Sequence, residues 1–280
     1  MKDDQGDQEG TSLIELRGLT KTFVTKQGPV EALKDINLTI QDGDIFGIIG
    51  VSGAGKSTLV RCINLLERPT SGQVWIDGVD VTAYSGRRLS DLRSQIGMIF
   101  QDFSLFAQRS ILKNVTFPLE LHHAKADSSR ARACELLELV GLAGREQSYP
   151  AQLSGGQQQR VAIARALANN PKYLLCDEAT SALDSLSTES ILELLRDINR
   201  KLRVTMIIIT HEMKVVASVC NKVAVIDGAQ IVEQGSVESV FSAPAAAITR
   251  HLIEASELHP EALTVPATAA GAGAGARAHA

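Results

Sequence analysis

No apolar run in this chain of 280 residues reaches the roughly 18 residues that a membrane-spanning helix needs. The longest candidates, residues 45–51 and 206–209, are strand-sized. The start, MKDDQGDQEG, carries acidic residues where a signal peptide would have a basic region followed by an apolar stretch. The expectation is a chain that neither enters the secretory path nor spans a bilayer by itself. Basic excess is lacking too: the net charge is −4, which argues against a dedicated nucleic-acid binder. Cys62, Cys134, Cys176 and Cys220 are scattered, with no CxxC pair and no histidine at ligand spacing, so they read as reduced thiols rather than a disulfide or metal set. Aromatics make up 4%, and Trp75, the single tryptophan, reads as packing on a strand over residues 73–76 rather than as a base-stacking platform.

What is present is an ordinary globular balance, 44% hydrophobic and 21% charged, enough to bury a core. Residues 1–11 read as a disordered leader, and the stretch PATAAGAGAGARAHA at the other end as a flexible tail. Residues 13–49 hold short β-type runs (LIEL, VEALKDINLTI, DIFGII) with turn signals at Gly28-Pro29 and Asp42-Gly43. Beyond Gly50, strands and helices alternate. Helices are expected over 56–66, 129–140, 157–168 and 188–202, with another closing over 217–221. Strands are expected over 73–76, 96–100, 173–176, 205–210 and 222–226. Short all-apolar strands spaced by amphipathic helices imply an α/β protein whose parallel sheet is covered on both faces.

The first chemical motif is Gly50-Val51-Ser52-Gly53-Ala54-Gly55-Lys56-Ser57, which fits GxxxxGK[ST] between a strand and a helix. Its glycines let the backbone wrap an anion while the helix behind adds its positive dipole end. Lys56 suits the β- and γ-phosphates, and the Ser57 hydroxyl suits Mg²⁺. Downstream, the apolar run YLLC ends in Asp177-Glu178. Carboxylates at the tip of a buried strand are costly unless they hold a cation or a reactive water. Asp177 therefore reads as the Mg²⁺ partner and Glu178 as the base that polarises the attacking water. His211 ends the strand over 205–210 at the same sheet edge, where ligands of open α/β sheets bind, and is expected near the γ-phosphate.

Leu153-Ser154-Gly155-Gly156-Gln157 precedes a helix carrying Arg160 and Arg165. Ser154 followed by two glycines at a helix start is a second anion nest, or a capped start with a flexible lead-in. This LSGGQ, with GxxxxGKS upstream, LLCDE downstream and a later histidine, resembles the ATP-binding subunits of ABC (ATP-binding cassette) transporters. The resemblance covers roughly residues 13–255. It implies a P-loop NTPase core of RecA-like type with an N-terminal antiparallel β subdomain and a helical signature-motif subdomain at about 102–165. The cassette would run over 12–255, with residues 256–280 as an extension.

It also implies two subunits head to tail, so that Ser154, Gly155, Gly156, Gln157 and Asp184 of one close over the ATP held by Gly50, Ser52, Gly53, Ala54, Gly55, Lys56, Ser57 and Thr58 of the other. By the same resemblance Phe23 stacks on adenine. Gln101 touches Mg²⁺ and water and links to the transport subunit, and Ser181-Ala182-Leu183-Asp184 crosses the interface. Many relatives follow that aspartate with proline; this chain has Ser185. A groove near residues 101–118 is the expected seat for a short helix of the permease.

The pieces CINLLERPTSGQV, LRSQIGMIFQ, NVTFPLEL, YPAQLSGGQ, LLCDEATSALD and THEM together resemble the bacterial methionine-import branch. Some recur in importers of polar amino acids and in the lipoprotein-release branch, which stand as alternatives. Members of the methionine branch commonly carry a further C-terminal domain, where this chain has its Ala/Gly tail. The implied partners are a second copy, transmembrane permease subunits and, indirectly, an external solute-binding protein, with no nucleic acid. The implied location is peripheral, on the cytoplasmic face of the inner membrane. Soluble nucleic-acid relatives usually insert a long coiled coil before LSGGQ or join two cassettes; neither is seen between Ser57 and Leu153. Three features call for no function. His122-His123 reads as a surface loop, Gln157-Gln158-Gln159 as a polar helix face, and Leu136, Leu137 and Leu139 as helix core rather than a zipper.

Overall fold

The computed structural model describes residues 12–122 and 125–256. The leader 1–11, His123 and nearly all of the 256–280 extension lie outside the described residues. Strands β1 (Ser12–Thr25) and β2 (Gly28–Gln41) form an antiparallel hairpin. Its turn falls at Lys26 and Gln27, just ahead of the Gly28-Pro29 signal, and Pro29 sits on the sheet's edge strand, where its missing N–H costs no ladder bond. There follow β3 (Ile45–Ile49), α1 (Lys56–Ile63), β4 (Ser71–Ile76), β5 (Val79–Asp80), α2 (Gly86–Ser94) and β6 (Ile96–Ile99). Then come α3 (Ile111–Leu121), α4 (Ala126–Leu139), α5 (Gly155–Ala166), β7 (Tyr173–Asp177), α6 (Ser185–Leu202) and β8 (Thr205–Ile209). The described residues end with α7 (Met213–Val219), β9 (Lys222–Asp227), β10 (Gln230–Ser236), α8 (Val237–Ser242) and α9 (Ala247–Ala255). None of these helices is long and apolar enough to cross a membrane.

The strands make two sheets. One is antiparallel with the order β2-β1-β4-β5; the other has the order β10-β9-β3-β8-β7-β6 and is parallel from β9 to β6. Strands β3, β7 and β8 are buried at every residue, because both faces of the parallel sheet are covered. The pleat sorts their side chains into two cores. Leu174, Cys176, Met206 and Ile208 join the core under α5, α6 and α7, while Tyr173, Leu175, Ile207 and Ile209 join the core shared with α1 and the antiparallel sheet. Helices α3, α4 and α5 pack on one another beyond the β6 edge through Leu112, Val115, Ala133, Leu136 and Val161. The fold is thus an α/β P-loop NTPase core with an antiparallel β subdomain and a helical subdomain.

Several helix limits differ from the pattern read in the sequence. Helix α1 stops at Ile63 because Leu65 turns left-handed (φ 54) ahead of Pro69. Helices α5 and α6 begin earlier, each set by an oxygen-bearing cap: the Ser154 hydroxyl accepts from the Gln157 N–H and the Asp184 carboxylate from the Ser187 N–H. The glycines of LSGGQ are accordingly the first residues of α5, not a flexible lead-in. Helix α3 contains Pro118, and its Asn114, fully buried, bonds the backbone of Phe106, Arg109 and Ser110 to tie the preceding loop to the helix.

Candidate active site

Strands β3, β8 and β7 lie side by side with Ile48 opposite Ile209 and Ile209 opposite Asp177, so their carboxyl ends open at one edge. The loop over 50–55 leaves β3 there and feeds α1. At Gly50 (φ 158) a Cβ would sit 2.2 Å from the Ile226 carbonyl oxygen, and at Gly55 (φ 108) 2.4 Å from that of Ala32. Glycine is therefore required by close approach at both. Gly55 is also the N-cap of α1, so no side chain caps the helix and its first N–H groups are left for an anion. The Lys56 ammonium is buried and donates to the carbonyls of Gly50 and Val51, both at 2.9 Å. Burial lowers its pKa, opposed by the nearby charges of Glu178 and Asp177.

Ser57 Oγ donates to Asp177 Oδ1 at 3.0 Å. Burial raises the Asp177 pKa, opposed by that hydrogen bond. Two oxygen donors meet here beside the loop over 50–55, one a buried carboxylate. That donor set would suit Mg²⁺, which takes few protein ligands and keeps oxygens from substrate and water. Glu178 follows in a left-handed backbone (φ 49), its N–H bonded to the Ile209 carbonyl at 3.0 Å. Non-glycine residues there are uncommon, and such strain gathers at functional sites. His211 Nδ1 lies 3.3 Å from Glu178 Oε1, a pairing that the sequence reading did not contain. Gln101 lies just past β6, one strand over from Asp177, with its side chain exposed.

Phe23 lies on β1 opposite Val30, partly buried, with Lys21 Nζ 4.7 Å from its ring centroid. A cleft of about 470 Å³ beside the phosphate loop is lined by Glu31, Ala32, Lys34, Val51–Ala54 and Gly228–Gln230, and Phe23 is not among its lining residues. The LSGGQ nest is closed by reciprocal bonds between Ser154 and Gln157. A Cβ at Gly156 would meet Ser187 Oγ at 3.1 Å, so the glycine lets α5 approach the start of α6. Asp184 caps α6 there, and the Ser187 bonds hold its carboxyl below the usual range. Ser181, Ala182 and Asp184 are exposed.

A second groove, about 350 Å³, lies where the sequence analysis looked for a docking seat. Phe100, Phe106, Phe117, Pro118 and Leu121 line it together with Arg165. Elsewhere on α5, one residue departs from the reading of the sequence. Gln159 is not part of a polar face; it is fully buried. Arg165 donates to the carbonyls of Ser104 (2.6 Å) and Phe103 (2.9 Å), both left-handed residues of the segment after Gln101. The only sequence signal for this was a basic residue amid the apolar run VAIARAL.

Comparison with known proteins shows the family. The family model described as "ABC transporter" matches residues 33–181, which hold the phosphate loop, LSGGQ and Asp177-Glu178. The "Methionine import ATP-binding protein MetN" of Vibrio vulnificus (strain YJ016) is 56% identical over 232 residues, 83% of this chain and 67% of that protein. The protein of the same name from Aliivibrio fischeri is 55% identical over 243 residues, 87% of this chain and 71% of that protein. Among solved structures, the dimeric post-hydrolysis state of the ATP-binding cassette MJ0796 bound to ADP and Pi aligns at TM-score 0.74 and 36% identity, covering 80% of this chain and 99% of the other. The cbiO1 structure from Clostridium perfringens, part of the ABC transporter complex cbiONQ, aligns at TM-score 0.77 and 32% identity, covering 83% and 92%. The chain belongs to the ABC transporter family and is one of its ATP-hydrolysing cassettes.

Proposed function

We propose that the chain powers methionine uptake through a separate permease, as one of two identical cassettes paired head to tail on the cytoplasmic face of the inner membrane. The observation that carries the site reading is the meeting, at one sheet edge, of Ser57, Asp177, Glu178 and His211. The backbone of 50–55, Lys56, Ser57 and Thr58 would bind the phosphates, and Phe23 would stack on adenine. The twin's Ser154, Gly155, Gly156 and Gln157 would close over the γ-phosphate, with Asp184 at the seam. Ser57, Asp177 and Gln101 would hold Mg²⁺, whose charge neutralises the phosphate oxygens when bound.

Glu178 accepts the proton of the attacking water as its oxygen bonds to the γ-phosphorus, and the bond to the bridging oxygen of ADP breaks. His211, beside Glu178, contacts the γ-phosphate and keeps the carboxylate oriented. Closure moves the apolar groove by Phe100 and Phe106, where a short permease helix would sit; residues between Arg93 and Phe100 and residues of the helical subdomain over about 102–165 line it together. An external binding protein would deliver the solute. The 56% identity to a protein named for methionine import supports the choice of solute. The test is uptake of labelled L- and D-methionine in a strain lacking this subunit. The reading expects loss of uptake and its return on re-expression, and intact uptake would redirect it to another solute.

A further inference from the structure

Gln159 lies mid-helix in α5, fully buried, on the helix whose first turn carries the Ser154 nest. Its Nε2 donates to the Ala179 carbonyl at 2.7 Å, and its Oε1 has no hydrogen-bond partner among the described residues. Ala179 directly follows Glu178, whose N–H is fixed on Ile209. One buried amide therefore joins the signature helix to the peptide that carries the proposed base. If packing alone were wanted, an apolar side chain would fill the site without the desolvation penalty of an unpaired acceptor. The same helix grips the segment after Gln101 through Arg165. A shift of α5 is thus felt on both sides of the hydrolysis site.

We infer that Gln159 is a positioning residue: through the Ala179 carbonyl it passes the seating of α5 over the twin's nucleotide on to the Glu178 carboxylate. It does not touch ATP; it acts through the backbone beside the base. The inference rests on the head-to-tail pairing proposed above.

The test is Gln159→Met, which keeps length and flexibility and removes the amide. In steady-state ATP hydrolysis, kcat is expected to fall about tenfold while KM for ATP stays within about twofold. The melting temperature is expected to stay close to wild type, because the unpaired Oε1 is removed while the Ala179 carbonyl loses its amide donor. A purely structural role would give the reverse, a lower melting temperature with kcat unchanged, and a kcat within about twofold of wild type overturns the inference. Should Gln159→Met not fold, the side-chain amide of ¹⁵N-labelled Gln159 is followed by NMR in the Glu178→Gln protein with and without ATP. A shift of that resonance on ATP addition supports the inference; an unmoved resonance in a protein that has paired overturns it. If Glu178→Gln does not pair at all with ATP, the head-to-tail reading has failed instead.

Discussion

The Ser57 hydroxyl donates to Oδ1 of Asp177 across 3.0 Å, linking the first turn of α1 to a strand-end carboxylate 120 positions away. Burial holds the Asp177 pKa above its ordinary value, so the native state keeps this proton more tightly than the unfolded chain. Ionised Asp177 therefore costs stability above that raised pKa, and the cost vanishes as pH falls below the ordinary value of 3.8. Asp177→Asn is expected to leave the nucleotide-free protein as stable at pH 7 or more so, by about 0.5–2 kcal/mol, because the buried charge is gone. Hydrolysis should drop at least about 100-fold. Urea unfolding beside a phosphate-release assay checks both, and a destabilised yet active variant would refute the assignment.

Lys56 Nζ donates hydrogen bonds to two loop carbonyls, those of Gly50 and Val51. Lys56→Ala removes the ammonium held by the loop carbonyls. Nucleotide affinity is expected to weaken about 10- to 100-fold, the worth of a charge-assisted hydrogen bond to phosphate. Titration with a fluorescent ATP analogue measures this, and unchanged binding would contradict the phosphate cradle.

Ser185 is the first helical residue of α6, the position at which proline is most welcome in a helix. Asp184 before it is extended (φ −70, ψ 164), the geometry that a following proline requires. Ser185→Pro should therefore stabilise the chain by about 0.4–1 kcal/mol through the unfolded state. The Asp184 cap should be kept, and denaturant midpoints at equal slope check the gain. A loss of stability would mean that the α6 start moves in the free protein.

Glu233 anchors the C-terminal helix by accepting from the N–H groups of Ala245 and Ala246 and from the Thr249 hydroxyl. Partial burial pushes its pKa up, but those donors outweigh burial and leave it below the ordinary value. A depressed carboxylate pKa gives stability that is present above the unfolded value of 4.5 and lost as pH falls through the folded one. Helix α9 is expected to loosen in acid before the central sheet does. Protection of the amides of residues 247–255, as exchange relative to the intrinsic rate at the same pH, should fall below about pH 4.5 and fall at pH 7 in Glu233→Gln. Exchange insensitive to both would deny the anchor.

The parts of the site readable from sequence are those whose chemistry needs contiguous residues. A phosphate loop must place glycines, a lysine and a hydroxyl within one turn, and Asp177-Glu178 announce themselves by ending a wholly apolar strand. The pairing of Glu178 with His211 stayed hidden because it depends on the register of β7 against β8. Gln157, Gln158 and Gln159 are alike in composition, and only the helix phase set by the Ser154 cap turns the third inward. Helix α3 was obscured by Pro118 and by buried Asn114, whose tie to the loop before it is a tertiary contact. Elements α2, β5, β10, α8 and α9 are short, none longer than nine residues, so each offers few turns or pleats to read.

The pairing of two chains around two nucleotides is tested most directly by the molar mass of Glu178→Gln in solution, measured by light scattering with and without ATP. With the base disabled and binding intact, a stable dimer is expected with ATP and Mg²⁺, and a monomer without nucleotide or when Ser154→Arg blocks the nest. A variant that binds ATP yet keeps the monomer mass, or that still hydrolyses at the wild-type rate, would contradict the account.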